Sequence, residues 1–169
     1  MRTPLLLALL ALTVACKKAP PDSLGGTYTP EPPAEAKAPP PVAVQKVAQN
    51  FARVSFAFDS AALDAASKAV IVENAEIMVS NPEVKVEVQG HADDRGTTDY
   101  NLALGDKRAA TVRALLIAGG VAPSRVVTVS YGEERPRSQG GTETAWAENR
   151  RAEFRITWSG DAFVEGTTP

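Results

Sequence analysis

The middle of the chain constrains the fold most, because a strand, a polar loop and a helix follow directly on one another there. Residues 84–90 alternate apolar and polar side chains, which predicts a half-buried strand. Residues 91–98 are rich in Asp, Gly and Thr and predict a loop, and residues 99–118 have the apolar spacing of a helix. This layout brings an acid, Asp93, and a base, Arg108, to the junction of a strand end and a helix. Such a pair suits the recognition of a small zwitterion better than a reaction.

The remaining elements predict an α+β domain over residues 42–158. Three further segments rich in β-branched and aromatic residues predict strands, namely 51–58, 125–130 and 151–158. A first long helix is predicted from a cap at Asp59-Ser60 to Ser80, and a short helix over 143–148. The order βαβαβ(α)β predicts two layers, with the helices on one face of a mixed four-stranded sheet. Residues 159–169 are expected to form a disordered tail.

The chain begins with a segment that is typical of an export signal. Residues 1–15 join one arginine to an apolar run too short to span a bilayer of about 30 Å as a helix. Cys16, the only cysteine, follows directly. The segment resembles a bacterial lipobox, whose cysteine is acylated and becomes the mature N-terminus, although Thr13 stands where leucine is usual. An ordinary signal peptide with a chance cysteine is the alternative.

The sequence predicts a tether after the acylated cysteine, so that residues 16–41 form one segment. Eight of the chain's 13 prolines lie within residues 17–41. A segment of this composition cannot bury a core and favours an extended, polyproline-like conformation. At about 3.1 Å per residue it could reach roughly 75 Å from a membrane.

The composition argues against several classes of protein. A net charge of −2 provides no basic footprint for nucleic acid. One histidine, His91, and one cysteine are a poor ligand set for zinc or iron, and a single cysteine excludes an intramolecular disulfide. The chain has no motif that joins a nucleophile to a base. The sequence therefore predicts a protein that is not an enzyme and has no metal or other cofactor.

Several motifs occur in a fixed order along the predicted domain. They are FAFDS at 56–60, NP at 81–82, GHADDRGTTDYNLALGDKRA at 90–109, GV at 120–121, SYGEERP at 130–136 and AENRRAE at 147–153. Together they resemble the OmpA-like peptidoglycan-binding domain family, and within it the peptidoglycan-associated lipoproteins. The lipobox and the proline-rich tether also fit that branch of the family.

The resemblance implies a function in the cell envelope. It implies non-covalent binding of the peptidoglycan stem peptide through meso-diaminopimelate, held by Asp93 and Arg108, with Asn101 in support and Arg150 nearby. It further implies an outer-membrane lipoprotein on the periplasmic side, since Lys17 rather than Asp follows the cysteine. As a partner it implies a TolB-like periplasmic propeller, within the Tol envelope-integrity and cell-division system.

The chemistry of these residues agrees with a diaminopimelate ligand, which carries one free ammonium and one free carboxylate. Asp93 can accept from the ammonium, and the planar fork of Arg108 can meet the carboxylate with two parallel bonds. Gly96 would let the backbone approach the ligand closely. Two roles are open for Asp59: a helix cap alone, or a helix cap that also lines the site.

Less specific roles remain open for the same residues. Asp93 could cap its loop, Arg108 could form a structural ion pair with Asp93 or Asp94, and Arg150 could be a buried structural arginine. Asp94 and Arg95 are expected to be solvated loop charges. Trp146 and Trp158 are expected to be packing residues. An envelope interaction module that does not bind peptidoglycan is the alternative function.

Overall fold

The computed structural model describes residues 42–158 and 162–165, with side chains from Val44 to Trp158. The predicted signal peptide 1–15, the lipidation site Cys16 and the tether up to residue 41 lie outside the described residues. The helices are α1 (Val42–Asn50), α2 (Ala65–Ser80), α3 (Thr98–Ala118) and α4 (Glu143–Asn149), with a 3-10 turn at Pro123–Arg125. The strands are β1 (Val54–Ser55), β2 (Lys85–His91), β3 (Val126–Gly132), β4 (Arg151–Trp158) and β5 (Ala162–Glu165).

The strands form one mixed sheet in the order β1-β4-β2-β3. β2 and β3 are parallel, and β4 is antiparallel to both β2 and β1. The predicted α+β class and the mixed sheet of four strands are therefore confirmed. β5 adds a fifth strand that pairs antiparallel with β4, beside the residues that β1 leaves without a neighbour. The prediction of a disordered tail from residue 159 onwards is therefore wrong for Ala162–Glu165.

The start of the domain differs from the sequence prediction in two ways. The predicted strand over 51–58 is reduced to β1, and α2 begins at Ala65 rather than after Asp59. Asp64 is the N-cap of α2, where its carboxylate accepts from the backbone N–H of Ser67 at 2.7 Å. A cap residue needs an extended backbone, but Asp59 has a left-handed φ of 51°. The predicted cap at Asp59 is therefore wrong.

α1 is an element that the sequence reading missed. It carries buried side chains at Val44, Val47 and Ala48, and Phe51 follows at the next helical position. Phe51 packs edge-to-face on Phe154 of β4, with ring centroids 5.5 Å apart. The helix therefore attaches the start of the domain to its core.

The hydrophobic core joins α1, α2 and α3 to the sheet. Its members include Ile71 and Met78 of α2, Val112 and Leu116 of α3, and residues of β2 and β4 listed here: Val86, Val88, Phe154 and Ile156. Polar residues occupy the alternate positions of the paired strands, as Glu87 of β2 opposite Arg155 of β4. The helices thus pack on one face of the sheet, as the sequence predicts.

α3 approaches β2 unusually closely at two glycines. A Cβ atom on Gly90 would lie 1.9 Å from the carbonyl oxygen of Gly105, and one on Gly105 would lie 2.8 Å from the carbonyl oxygen of Gly90. Both are backbone contacts, so no side-chain movement could relieve them. The pair therefore sets the distance between the end of β2 and α3, which carry the predicted site residues.

Among the helices within residues 42–158, none is both long enough and apolar enough to cross a membrane.

Candidate functional site

A cavity of about 200 Å³ opens where the end of β2 meets α3. We call it the site cavity, and nine residues line it: Phe58, Asp59, Asp93, Arg95, Gly96, Tyr100, Asn101, Leu104 and Arg108. Five of the six predicted ligand-binding residues are among them. The sixth, Arg150, lies behind Asp93 and contacts it directly.

Arg108 forms the buried floor of the site cavity, with 0% of the residue exposed. Three backbone carbonyls accept from its guanidinium: those of Ser60 at 2.9 Å, His91 at 2.7 Å and Ala57 at 3.1 Å. Burial lowers the pKa of Arg108 to about 10, so the group remains charged at neutral pH. Each terminal nitrogen donates only one of these bonds and so retains an N–H for a ligand.

Asp93 supplies the opposite charge but does not pair with Arg108. Its Oδ2 accepts from Nη2 of Arg95 at 2.6 Å and from Nη1 of Arg150 at 3.3 Å. Its Oδ1 accepts from the backbone N–H of Arg95 at 3.3 Å. Burial alone would raise the pKa of this carboxyl, but the bonds from Arg95 and Arg150 lower it below its usual value. The carboxylate of Asp93 is therefore ionised and fixed in the cavity wall.

Arg95 is not the solvated loop charge that the sequence suggests. Its guanidinium carbon lies 3.9 Å from the ring centroid of Phe58 and 4.1 Å from that of Trp146. Its nitrogens also reach Asp93 at 2.6 Å and Glu143 at 3.6 Å. The expectation was wrong because the two rings come from distant parts of the chain, which sequence patterns do not place together.

The loop between β2 and α3 is held by polar contacts at its far end. Asn101 is buried, and its amide nitrogen donates to Glu133 at 2.6 Å. Gly96 has a φ of 113°, a conformation that side-chain-bearing residues rarely adopt. Tyr100 donates a short hydrogen bond to Asp59, which raises the pKa of the Tyr100 phenol. Asp59 therefore lines the cavity without capping a helix.

Arg150 and Trp146 support the site from outside the cavity. Arg150 is buried and donates to the carbonyl of Phe56 at 3.1 Å as well as to Asp93 and Glu143. Trp146 donates its indole N–H to Asp94 at 2.6 Å. Arg150 is thus a structural neighbour of the cavity, and Trp146 and Asp94 position the loop around Arg95.

Besides Arg95, sequence reasoning missed three cavity residues: Phe58, Tyr100 and Leu104. Tyr100, Leu104 and Arg108 are spaced four apart on α3, so they share one face of the helix. That spacing could have identified two of them once Arg108 was chosen. Phe58 offered no local signal, because it is brought to the cavity by the loop before α2.

His91 is buried at 1% exposure, and its ring lies apart from the site cavity. Tyr131 stacks on it at a centroid distance of 5.6 Å, and neither ring nitrogen has a hydrogen-bond partner. Burial, followed by the nearby charge of Arg151, lowers the pKa of His91 to about 4. Within residues 42–158 no cluster of His, Asp or Glu side chains suitable for a metal ion is found.

The buried imidazole should make the domain sensitive to mild acid. The unfolded chain binds this proton near pH 6.5 and the folded chain near pH 4, so the unfolded state binds more protons between these values. The stabilising contribution is complete above pH 6.5 and is lost as the pH falls towards 4. We expect the free energy of unfolding to fall by about 2 kcal/mol between pH 7 and pH 5.

Urea denaturation at the two pH values measures this effect, with His91→Leu as the control variant. The variant should lose most of the pH dependence in this range, because the carboxylates with a lowered pKa titrate at lower pH. An equal loss of stability in the parent and the variant would exclude His91 as the cause.

The geometry suits the binding of a small ligand that carries charges of both signs. A carboxylate and a guanidinium of opposite charge line a cavity large enough for the end of one amino-acid side chain. Serine and cysteine nucleophiles are absent from the residues that line it, and the imidazole of His91 does not reach it. A ligand with adjacent ammonium and carboxylate groups would match both charges.

The chain is similar in sequence to known proteins. The OmpA family model matches residues 55–150. A peptidoglycan-associated lipoprotein of Mesorhizobium japonicum is 35% identical over 168 residues, which cover 94% of this chain and 95% of that protein. The peptidoglycan-associated lipoprotein of Brucella melitensis is 41% identical over 100 residues, which cover 59% of this chain and 60% of that protein.

Solved structures share the fold. The crystal structure of the peptidoglycan-associated lipoprotein from Burkholderia pseudomallei is 40% identical, with a TM-score of 0.61 over 62% of this chain and 89% of that one. The C-terminal domain of Helicobacter pylori MotB is 25% identical and also has a TM-score of 0.61, over 65% of this chain and 87% of that one. The chain therefore belongs to the OmpA family, and within it is similar to the peptidoglycan-associated lipoproteins.

Proposed function

We propose that this protein is an outer-membrane lipoprotein that binds peptidoglycan non-covalently through the meso-diaminopimelate of the stem peptide. The observation that carries the proposal is the presence of Asp93 and Arg108 in the wall of one small cavity, each held by other partners and not by the other. The names of the relatives support association with peptidoglycan. The function is attachment, not catalysis.

Asp93 and Arg108 would each bind one of the two charged groups of the ligand. The ammonium of diaminopimelate would donate to Asp93, whose lowered pKa keeps it anionic. The carboxylate would accept from the N–H groups that Arg108 does not use for backbone carbonyls. Asn101, Gly96 and Asp59 shape the wall, and Arg150 holds Asp93 in place from behind.

The proposed attachment also needs a membrane end. An acylated Cys16 would supply it, and more than one acyl chain is needed for a stable anchor. The proline-rich segment up to residue 41 would then extend from the periplasmic face of the outer membrane to the peptidoglycan layer. A TolB-like propeller is the proposed protein partner, in a Tol–Pal system that maintains the envelope during cell division.

The proposal predicts a charge-dependent affinity that calorimetric titration can measure. The full chain, purified in detergent, is titrated with a synthetic stem peptide that contains meso-diaminopimelate. We expect Asp93→Asn to weaken binding by about 2–5 kcal/mol, because the ligand ammonium loses its anion in a buried site. A peptide with lysine in place of diaminopimelate should bind far more weakly to the parent, because it has no carboxylate for Arg108.

Asp106→Asn is the matched control. Asp106 is an exposed acid on the same helix as Arg108, and it does not line the site cavity. Its variant should bind the peptide as the parent does. A folded parent that binds neither peptide would contradict the proposed function and favour an envelope interaction module. Equal affinity for the two peptides would contradict the role of Arg108.

A further inference from the structure

The cation position of the site cavity is already occupied by a side chain of the protein itself. Arg95 makes the shortest contact with Asp93, at 2.6 Å, and lies between the rings of Phe58 and Trp146. Any ligand ammonium that binds Asp93 has to share this carboxylate with Arg95 or displace it. The proposed function makes this competition unavoidable, because the charges of Arg95 and of the ligand have the same sign.

We propose that Arg95 is an internal competitor for the ligand ammonium, which leaves Asp93 for Glu143 when the stem peptide binds. This inference rests on the proposed function and adds a specificity-determining residue to it. Only a ligand whose carboxylate also engages Arg108 would gain enough binding free energy to displace Arg95. A simple amine would meet Asp93 with its charge already neutralised.

Asp93 does not depend on the Arg95 side chain for its orientation. Arg150, which is buried, donates to the same carboxylate at 3.3 Å, and the backbone N–H of residue 95 donates to its other oxygen at 3.3 Å. Both bonds would remain when the guanidinium leaves. The anion would therefore stay in place for the ligand.

Glu143 provides a second carboxylate with which Arg95 can pair. Glu143 lies 3.6 Å from its Nη1, and 65% of the Glu143 side chain is exposed. In its present position Arg95 leaves its buried Nε–H without a hydrogen-bond partner, which costs free energy. A move towards Glu143 could keep the charge paired and bring this donor to an acceptor or to solvent.

The affinity of the full chain for the diaminopimelate stem peptide tests the proposal, with Arg95→Gln as the variant. If Arg95 occupies Asp93 about nine-tenths of the time, its removal should tighten binding about tenfold. Loss of a merely structural residue would weaken binding instead. Arg95→Lys keeps the competing charge and should bind close to the parent.

Arg135→Gln is the matched control. Arg135 also lies over an aromatic ring, that of Tyr131 at 3.7 Å, but it does not line the site cavity. The Arg135→Gln substitution removes the same charge as Arg95→Gln and should leave the affinity for the stem peptide unchanged. A tightening of the same size in Arg135→Gln would attribute the effect to net charge and overturn the proposal.

A double-mutant cycle tests the role of Glu143. Glu143→Gln should weaken binding in the parent, because Arg95 loses its second acceptor, and should have a smaller effect in Arg95→Gln. Equal effects in both backgrounds would exclude Glu143 as the acceptor. A parent that binds, together with an Arg95→Gln variant of equal or lower affinity, would overturn the competition while leaving the proposed function intact.

Discussion

Replacing Arg108 with methionine is expected to lower the free energy of unfolding by about 3–5 kcal/mol and to abolish stem-peptide binding. The three carbonyls that it serves belong to Ala57, Ser60 and His91, which precede α2 and end β2. Methionine fills similar space but donates to none of them. The same change removes the cation that we assign to the ligand carboxylate.

Urea denaturation and calorimetric titration separate the two effects when Arg108→Lys is included. The lysine variant keeps a charge, but a single ammonium cannot serve the carbonyls and a carboxylate together. We expect it to be destabilised less than Arg108→Met and still to lose most of its affinity. A lysine variant with the affinity of the parent would contradict the bidentate role.

Arg113→Met is the matched control for stability. Arg113 lies on the same helix and also donates to backbone carbonyls, those of Val126 at 3.0 Å and Pro123 at 3.2 Å. Its side chain is partly exposed, so water can replace these bonds. We expect Arg113→Met to lower the free energy of unfolding by about 1 kcal/mol or less. A loss as large as that of Arg108→Met would show that burial does not decide the difference.

Replacing Gly90 with alanine is expected to destabilise the domain by about 3–5 kcal/mol. The new Cβ would lie 1.9 Å from the carbonyl oxygen of Gly105, so β2 and α3 would have to separate. Arg108 is three residues beyond Gly105, and its bond to the carbonyl of His91 spans the same gap. Stem-peptide binding should therefore weaken in the fraction that still folds.

Gly141→Ala is the matched control for this substitution. A Cβ there would meet only Trp146, at 3.9 Å, which is an ordinary contact. Its free energy of unfolding should remain within about 0.5 kcal/mol of the parent value. Thermal and urea denaturation measure both variants. A Gly90→Ala variant as stable as the parent would contradict the close packing of α3 on β2.

Local patterns predicted the elements whose signals are complete within a short window. The predicted helix over 99–118 is observed as Thr98–Ala118, and the predicted strand over 151–158 as Arg151–Trp158. Just beyond the C-terminal end of the helix, Gly120 has the left-handed φ of 96° that a terminating glycine predicts. In the strand, strict alternation is a signal that neighbouring residues alone provide.

The misplaced start of α2 has a tertiary cause. Both Asp59 and Asp64 are suitable N-caps by residue type. Arg108 binds the carbonyls of Ala57 and Ser60, and the segment it holds contains the left-handed Asp59. Asp64 is the next acid with an extended backbone. The local sequence leaves the start of α2 open between these two acids. The observed start at Ala65 coincides with the contact that Arg108 of α3 makes with the preceding segment.

The amino-acid sequence by itself determined which segments have the apolar spacing of helices and strands, and which family the chain resembles. It also identified Asp93 and Arg108 as charged residues that lie at one cavity. Only the tertiary structure decided how those charges pair: Asp93 with Arg95 and Arg150, and Arg108 with three carbonyls. Apart from Asp93 with Arg95, these pairs join residues far apart in the chain, as Arg150 with Asp93 and Arg108 with Ala57. Their distances are set by how whole elements pack, above all α3 on β2, and no short sequence pattern contains that information.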